Sequence, residues 1–505
     1  MKKSIKTVGF MFLMILLSKV LGQAREMLIA QIYGSSGDAS AFYGVSALPL
    51  NLFDIVFASA VSSAFIPVYN TYLEQDGEQE GDRFASAFLN VIFLGSLAFT
   101  VVLMLFASPL VSVMAGGLVG QVRETAIRLL IIMLPMTVFA SLAFSLVGLL
   151  QSKGEFSIPA MMSLISNAVV ILYLCIGNRY FGIEGLAVSL VAGWALQFAI
   201  QIPVAKKKGF HYQPVLRHEG LKTVVKLALP VMVGTWIQPI SVIINNAFGS
   251  SIPGALTTLN WANKLYLIVS SVFTVSLTNY IFPRLSRQSV QEDSDSYKNT
   301  LKVSFLLIVT VLIPITVLML VFKTPIIEIV YKRGAFTDKD LYLTAGAFFY
   351  YSLGIPFYGL LDLLNKAYYA RKNMLVPSVT AAAAILFNIT VSFVLKGIMA
   401  SFGLALATSL TAVFMSVVLL TLLNRDLGFL TKKDGMDILI YVLFGALMFP
   451  VCILCYRMFP GKASLLGNIF AVGVSSVAGL LVYGGCVWCF RPDVRNFVKK
   501  GILKR

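Results

Sequence analysis

Long apolar segments follow one another along almost the whole of this chain. Of its 505 residues, 58% are hydrophobic, and the mean hydropathy is +0.84. Apolar runs of about 18 residues or more cross a bilayer as helices, whereas the strands of a membrane barrel alternate over about 10 residues. We therefore predict an all-α polytopic membrane protein with about fourteen transmembrane helices. They form two homologous six-helix halves and two C-terminal helices.

The basic residues predict how the chain lies in the membrane. The net charge is +17, and most Lys and Arg fall in alternate connections between the predicted helices. These connections include the run at 206–208, Lys432-Lys433 and the tail at 491–505. By the positive-inside rule both termini are cytoplasmic, so the charge gives no reason to expect nucleic-acid binding. The acidic loop at 74–82 falls on the same side, but acidic residues count little in this rule.

The N-terminus resembles a signal peptide, with a passable cleavage site at residues 22–24. The apolar sequence nevertheless continues from Met27 to Ala30. This continuation favours an uncleaved first span.

The chain contains an internal repeat. QSKGEFSIP followed by GLAVSL corresponds to ARKNMLVP followed by GLALATSL, and the spacing from Pro159 to Gly185 equals that from Pro377 to Gly403. We predict an N-terminal half at 1–210, a C-terminal half at 211–430, and two further helices with a basic tail at 431–505. Each half has an even number of spans, so the repeat is parallel and places a substrate cavity between the halves near the membrane midplane.

Charged residues interrupt the first apolar run. At about 100° per residue, Ser18, Lys19, Arg25 and Glu26 fall on one arc of the helix, and apolar residues cover the rest. Charge facing lipid at depth costs about 3 kcal/mol or more, so this arc is predicted to face a water-filled cavity or protein. The alternative for Arg25 and Glu26 is snorkelling at the outer end of the helix. As sequence neighbours they point in different directions and need not pair.

Other predicted spans also carry polar residues. Asp362 and Lys366 have the i, i+4 spacing of an intrahelical ion pair, which is the simpler interpretation. Base exceeds acid among these groups, and a cationic cavity suits an anionic cargo, either a small metabolite or a lipid pyrophosphate. The further candidates for the cavity or its gates are Lys264, Asn51, Asp54, Gln238 and Asn245.

Sequence features of catalysis and metal binding are weak. There is no Walker loop, which argues against direct ATP use. Cys452-x-x-Cys455 and Cys486-x-x-Cys489 have zinc-site spacing, but they fall near opposite membrane faces and are expected to be packing residues. The acidic pairs at 293–295 and 338–340 and the two histidines, His211 and His218, are interpreted as solvated loop residues. We expect no catalytic residue, no bound metal and no cofactor.

Several motifs resemble the MurJ/MviN family of lipid II flippases, within the superfamily of multidrug, oligosaccharidyl-lipid and polysaccharide exporters. The similarity spans the whole chain, including the number of helices. The first-helix motif and YKRGAFT are the more specific ones. The motifs are SKVLGQAREMLIAQIYG (18–34), ALPLNLFDIVFASAVSSAFIPVY (47–69), WANKLY (261–266), YKRGAFT (331–337) and YYARKNMLVP (368–377).

The resemblance implies roles for individual residues. Ser18, Lys19 and Arg25 match the family's Ser, Arg and Arg in the first helix, and Lys264 matches its cavity arginine in the eighth. These residues would hold the pyrophosphate and sugar head group. The chain departs from the family in having Lys at two cationic positions, which loses bidentate geometry. It also departs at Ser40-Ala41, Phe53-Asp54 and Leu267.

The resemblance also implies a function. The expected activity is alternating-access transport of undecaprenyl-pyrophosphate-linked peptidoglycan precursor from the inner to the outer leaflet of the bacterial inner membrane. We add the hypothesis that charge pairing among Glu26, Arg25 and Lys19 biases the transition. Helices 13 and 14 would guide the lipid tail. Membrane potential or a monovalent cation would drive transport, and cell-wall synthesis proteins are possible partners. The alternatives are a flippase for another polyprenyl-linked glycan, an ion-coupled small-molecule exporter, and a non-transporting scaffold for envelope assembly.

Overall fold

The computed structural model describes residues 2–235, 237–291, 293–459 and 464–490. These residues form helices and the connections between them, which confirms the all-α class. The chain divides into two compact units. Unit 1 comprises Met1–Thr257 and Gly334–Phe336, and unit 2 comprises Thr258–Arg333 and Thr337–Arg505.

The described residues of unit 1 form thirteen α-helices. They are α1 (Lys2–Tyr33), α2 (Gly37–Val45), α3 (Leu48–Val56), α4 (Ile66–Gln75), α5 (Glu78–Leu105), α6 (Ala107–Met114), α7 (Gly120–Met133), α8 (Met136–Ser152), α9 (Ser157–Leu172), α10 (Asn178–Ala199), α11 (Gln201–Lys207), α12 (Gly220–Thr235) and α13 (Ile237–Ser250). Two π-helical segments, Ala60–Phe65 and Tyr173–Gly177, also belong to this unit.

Unit 2 holds the remaining helices, including all but the first three residues of α14. They are α14 (Ala255–Val290), α15 (Ser294–Val321), α16 (Lys323–Tyr331), α17 (Asp338–Ser352), α18 (Ile355–Ala370), α19 (Leu375–Met399), α20 (Ser401–Leu427), α21 (Lys432–Met458) and α22 (Leu465–Phe490). The division into compact units places α12 and α13 in unit 1, whereas the sequence repeat assigns these two helices to the C-terminal half. The repeat boundaries at 210 and 430 stay predictions.

The apolar helices define a multi-pass membrane protein. Among the residues described, nine helices are long and apolar enough to span a membrane, or ten if the bent pair Asp338–Ser352 and Ile355–Ala370 forms one span. Some predicted spans consist of shorter pieces. For example, α3 has 9 residues and α4 has 10, fewer than the roughly 20 that cross a bilayer. The number fourteen therefore stays a prediction.

The second predicted span, at 40–72, is not one continuous helix. It is divided into α2, α3, the π-helical segment Ala60–Phe65 and α4. Pro49 and Pro67 stand in the first turns of α3 and α4, where a missing N–H costs no helical hydrogen bond. The π-helical segment was not predicted from the sequence, and such segments are often found at functional sites.

The internal repeat is visible in the backbone. Pro159 and Pro377 occupy the same position in the first turns of α9 and α19. At the same offset, Gly182 (φ 52°, ψ −143°) interrupts the helical conformation within α10, and Ala400 (φ 50°, ψ −127°) separates α19 from α20. Gly154 (φ 74°) and Lys372 (φ 58°) form a second pair at this offset. The second half thus keeps backbone conformations that favour glycine at positions where glycine is absent.

This pair of breaks gives matched stability predictions. Gly182→Ala places a Cβ where positive φ costs about 1–2 kcal/mol, and it should lower stability by about 1 kcal/mol because no neighbouring atom lies within 4 Å of that Cβ. Ala400→Gly relieves the same strain and should raise stability or leave it unchanged. Thermal unfolding of the purified variants in detergent tests both signs. Equal destabilisation by both substitutions would contradict the shared backbone geometry.

Acidic residues of the predicted loops cap helices. Thr337 and Asp340 form a reciprocal capping box at the start of α17, and the carboxylate of Asp293 accepts a 3.0 Å hydrogen bond from the backbone N–H of Ser296 at the start of α15. Asp340 is only 1% exposed, so its assignment as a solvated residue was wrong. Backbone N–H groups at the start of a helix have no partner within the helix, and both carboxylates serve to accept hydrogen bonds there.

Cys452 is a packing residue of unit 2. It is fully buried, and its thiol donates to the carbonyl oxygen of Ser475 at 3.5 Å. A Cβ on Gly479 would lie 2.3 Å from Sγ, so the glycine permits the close approach of α21 and α22.

A non-helical segment at 210–216, here called the strap, runs along α5 in unit 1. Its backbone is bonded at three alternate residues to side chains on one face of that helix. The N–H of His211 donates to Asp82 Oδ2 at 2.8 Å, the N–H of Gln213 donates to Ser86 Oγ at 3.0 Å, and the carbonyl of Val215 accepts from Asn90 Nδ2 at 2.8 Å. Asp82 also pairs with Lys153 at 3.5 Å. This residue of the acidic loop therefore has a structural role, because it holds both the strap and Lys153.

The two histidines beside this anchor differ. The side chain of His211 is exposed, as expected. The side chain of His218 is only 5% exposed, with Nε2 3.0 Å from Glu80 Oε1 and Nδ1 accepting from the N–H of Gly220 at 3.0 Å. The prediction of a solvated loop residue is thus wrong for His218, because its ring packs between Tyr72 and Phe84 at the start of α12.

Candidate functional site

A buried ion pair lies on α1 in unit 1. Arg25 Nη2 donates to Glu26 Oε1 at 2.7 Å, and the hydroxyl of Tyr43 on α2 donates to Glu26 Oε2 at 2.7 Å. Glu26 is 2% exposed and the Arg25 side chain 23%. These two sequence neighbours do pair, because the long Arg25 side chain reaches back to the carboxylate. Glu26 therefore does not snorkel, and both of its oxygens are bonded as a buried charge requires.

Asn167 joins this pair to α9. Its Oδ1 accepts from Arg25 Nη1 at 3.0 Å, and its Nδ2 donates to the backbone carbonyl of Ser18 at 3.2 Å. Gly22 lies between these contacts, with its Cβ position 3.4 Å from Asn167 Nδ2. The polar arc of α1 thus faces protein in this region. Sequence reasoning missed Tyr43 and Asn167, although most buried polar groups have a hydrogen-bond partner.

A cavity of about 460 Å³ opens beside this network within unit 1, between α1, α8, α9 and α10. Ser18 and Lys19 line one side, and Gln151, Ser163 and Gln197 add polar groups. An ammonium group with neighbouring amide and hydroxyl groups can bind an anion such as phosphate. Two atoms, Ser18 Oγ and Arg25 Nε, are buried without a hydrogen-bond partner among the residues described.

The other candidates of unit 1 do not join this network in the contacts described. Asp54 is exposed and Asn51 half-buried. Asn51 Nδ2 and Asn245 Oδ1 are buried and have no hydrogen-bond partner within the described ranges. The side chain of Gln238 lies outside the part of the chain that is described. The gating roles suggested for these residues stay predictions.

Two of the candidates of unit 2, Asp362 and Lys366, contact each other. Asp362 Oδ2 and Lys366 Nζ are 3.1 Å apart on α18, which confirms the predicted i, i+4 pair. Thr278 on α14 binds both, with its hydroxyl 2.6 Å from Lys366 Nζ and 2.5 Å from Asp362 Oδ2. Thr278 was missed from the sequence because nothing local marks it. Lys264 lies half-buried two turns after the start of α14.

Solved structures place this architecture in a class of transporters. A multidrug resistance MATE family transporter of the MOP superfamily, in an inward-facing conformation, matches with a TM-score of 0.70 at 10% identity, over 83% of this chain and 94% of that chain. A structure described as the lipid II flippase MurJ in an inward closed conformation matches with a TM-score of 0.82 at 25% identity, over 96% of this chain and 99% of that chain. The fold is that of this exporter superfamily.

The family within this class is defined by the sequence. The family profile described as "Lipid II flippase MurJ" matches residues 29–470, so the chain belongs to the MurJ family. The lipid II flippase MurJ of Burkholderia cenocepacia is 27% identical over 94% of this chain and 95% of its own length. A probable lipid II flippase MurJ of Rickettsia prowazekii is 27% identical over 78% and 79%, respectively. The resemblance deduced from the motifs is confirmed.

Proposed function

We propose that this protein is a lipid II flippase, which moves the undecaprenyl-pyrophosphate-linked peptidoglycan precursor from the inner to the outer leaflet of the bacterial inner membrane. The observation that carries the proposal is the family match over residues 29–470. The buried charges of α1 support it, because a membrane helix retains ionisable groups chiefly where they serve transport.

Arg25 and Lys19 are proposed to bind the pyrophosphate. In the structure Glu26 occupies one side of the Arg25 guanidinium. A pyrophosphate oxygen offers the same charge and the same acceptor geometry as that carboxylate. Cargo entry would therefore exchange one anion for another at Arg25, and Glu26 would keep the bond from Tyr43 while the cargo is bound. Lys264 is proposed as a further cargo-binding residue.

Transport requires an energy source, and the proposed one is the membrane potential or a monovalent cation gradient. One elementary charge moved through 100 mV gains about 2.3 kcal/mol, enough to bias an alternating-access equilibrium by more than tenfold. Both termini are proposed to be cytoplasmic. Cell-wall synthesis proteins are proposed as partners, since they consume the product at the outer leaflet.

The decisive experiment is complementation. A bacterial host depleted of its own lipid II flippase should regain lipid II at the outer leaflet when it expresses this chain, measured by labelling from outside the cell. Dissipating the membrane potential with an ionophore should then reduce the restored exposure. Failure to restore exposure, with the protein correctly inserted, would exclude lipid II as the cargo and favour another polyprenyl-linked glycan.

A further inference from the structure

Unit 1 contains a second groove, distant in sequence from the charged arc of α1. Its volume is about 840 Å³, within the range of about 300–1,000 Å³ typical of ligand sites. None of the candidate cargo-binding residues lines it. Its floor is apolar and is formed by α5, α8, α10 and α11. The principal floor residues are Leu89, Phe93, Leu142, Leu146, Phe198 and Ile202.

The strap forms one wall of this groove. Phe210, His211 and Tyr212 line it, and the strap is fixed by its three bonds to α5. The Tyr212 hydroxyl also donates to Asn90 Oδ1 at 2.7 Å. The three backbone groups that are bonded to α5 are satisfied within the protein, and bonded groups of this kind can border an apolar ligand.

Charge is placed at one end of the groove. Lys206 lines the rim, near the end of the apolar stretch Ser157–Lys207. The neighbouring Lys208 is engaged with Glu155 Oε2 at 3.2 Å. Burial raises the pKa of Glu155, but the Ser157 N–H and this ammonium group outweigh it and hold the pKa below its usual range. Lys206, by contrast, makes no ion pair with any residue described.

We infer that this groove binds an anionic glycerophospholipid. One acyl chain lies on the apolar floor, and the head-group phosphate is held by Lys206. The geometry has an apolar floor inside the membrane-spanning region and a cation where a span ends, which is the arrangement of phospholipid head-group sites between transmembrane helices. The Lys206 stem covers apolar surface while its ammonium group stays at head-group level. Repulsion of the anion by Asp82 is reduced, because its carboxylate is bound by the backbone N–H of His211 and the ammonium group of Lys153.

The test uses the purified full-length protein in lipid nanodiscs of equimolar phosphatidylglycerol and phosphatidylcholine. Native mass spectrometry after release counts the phospholipids retained by each chain. We expect one retained phosphatidylglycerol, and Lys206→Gln should lower its retention about fivefold, the effect of one basic residue near a membrane surface. Lys207→Gln is the matched control, since it removes the same charge one residue away from a side chain that does not line the groove.

A second variant tests the apolar floor. Ile202→Trp places a large ring into the groove from a residue that is 36% exposed, and it should displace the retained lipid from a folded protein. Leu196→Trp, on an exposed position outside the groove, should not. Equal losses from Lys206→Gln and Lys207→Gln, or equal retention of phosphatidylcholine, would overturn the assignment. Displacement by undecaprenyl phosphate in preference to phosphatidylglycerol would also overturn it, by assigning the groove to the cargo.

Discussion

Replacing Glu26 with alanine is expected to lower the free energy of unfolding by about 3 kcal/mol. Removing one partner of a buried ion pair typically costs about 3–5 kcal/mol, because the other charge is left uncompensated. We expect the lower end of that range because the Arg25 side chain is 23% exposed and water screens part of its charge. Glu26→Ala also removes the acceptor of the buried Tyr43 hydroxyl.

Two further variants separate the parts of this effect. Tyr43→Phe removes one hydrogen bond to a charged group and should cost about 1.5–3 kcal/mol. Glu184→Ala breaks the exposed ion pair with Arg128, whose atoms are 3.2 Å apart, and should cost no more than about 1 kcal/mol. The measurement is thermal or denaturant unfolding in one detergent. If Glu26→Ala were as mild as Glu184→Ala, the buried pair would contribute nothing to stability.

Replacing Arg25 with alanine should reduce lipid II exposure at the outer leaflet by roughly 10- to 100-fold, the effect of losing one charge-assisted contact of about 1.5–3 kcal/mol. Arg25→Lys should be intermediate, because it keeps the charge and loses the bidentate fork. Labelling of outer-leaflet lipid II in the depleted host measures both. Arg128→Ala is the matched control, since it removes an arginine from an exposed pair outside the network.

Arg25→Ala also leaves Glu26 buried without its counter-charge, so lost folding and lost transport must be distinguished. The double variant Arg25→Ala/Glu26→Gln removes both charges and should recover much of the stability lost in the single variant. If Arg25 binds cargo, transport stays lost in the double variant. Recovery of transport together with stability would show that Arg25 only balances Glu26, and the cargo site would then have to lie elsewhere.

The class of protein could be predicted from the sequence because it depends on composition and spacing. Apolar runs define helices in membranes, and the repeated Pro and Gly positions identified the offset at which Gly182 and Ala400 share a backbone conformation. The break of the second span was not predicted. Periodicity identifies an apolar helix but does not locate a π-helical segment within it, because that depends on packing against neighbouring helices.

The candidate site was predicted only in part, for a similar reason. Arg25 and Glu26 stood out because charge in a membrane span is costly wherever it is not partnered. Their partners were not identified. Asn167 lies 142 residues from Arg25 along the chain, and which residue of α9 meets Arg25 depends on how the two helices are aligned. Thr278 was missed in the same way, 84 residues from Asp362.

The strap has a consequence for which changes in chain length the protein tolerates. Its anchors are spaced two residues apart on an extended chain, an advance of about 6–7 Å, while Asp82, Ser86 and Asn90 are spaced four residues apart on α5, an advance of about 6 Å. The two spacings nearly coincide, so the three bonds form together. Phe210 is buried and the Tyr212 hydroxyl is bonded to Asn90, but the side chains from Gln213 to Leu216 are freer to vary, because the backbone makes the three bonds to α5. A single-residue insertion or deletion between His211 and Val215 would move every later anchor away from its partner on α5. Among natural relatives we therefore expect the residues of this segment to vary more often than its length.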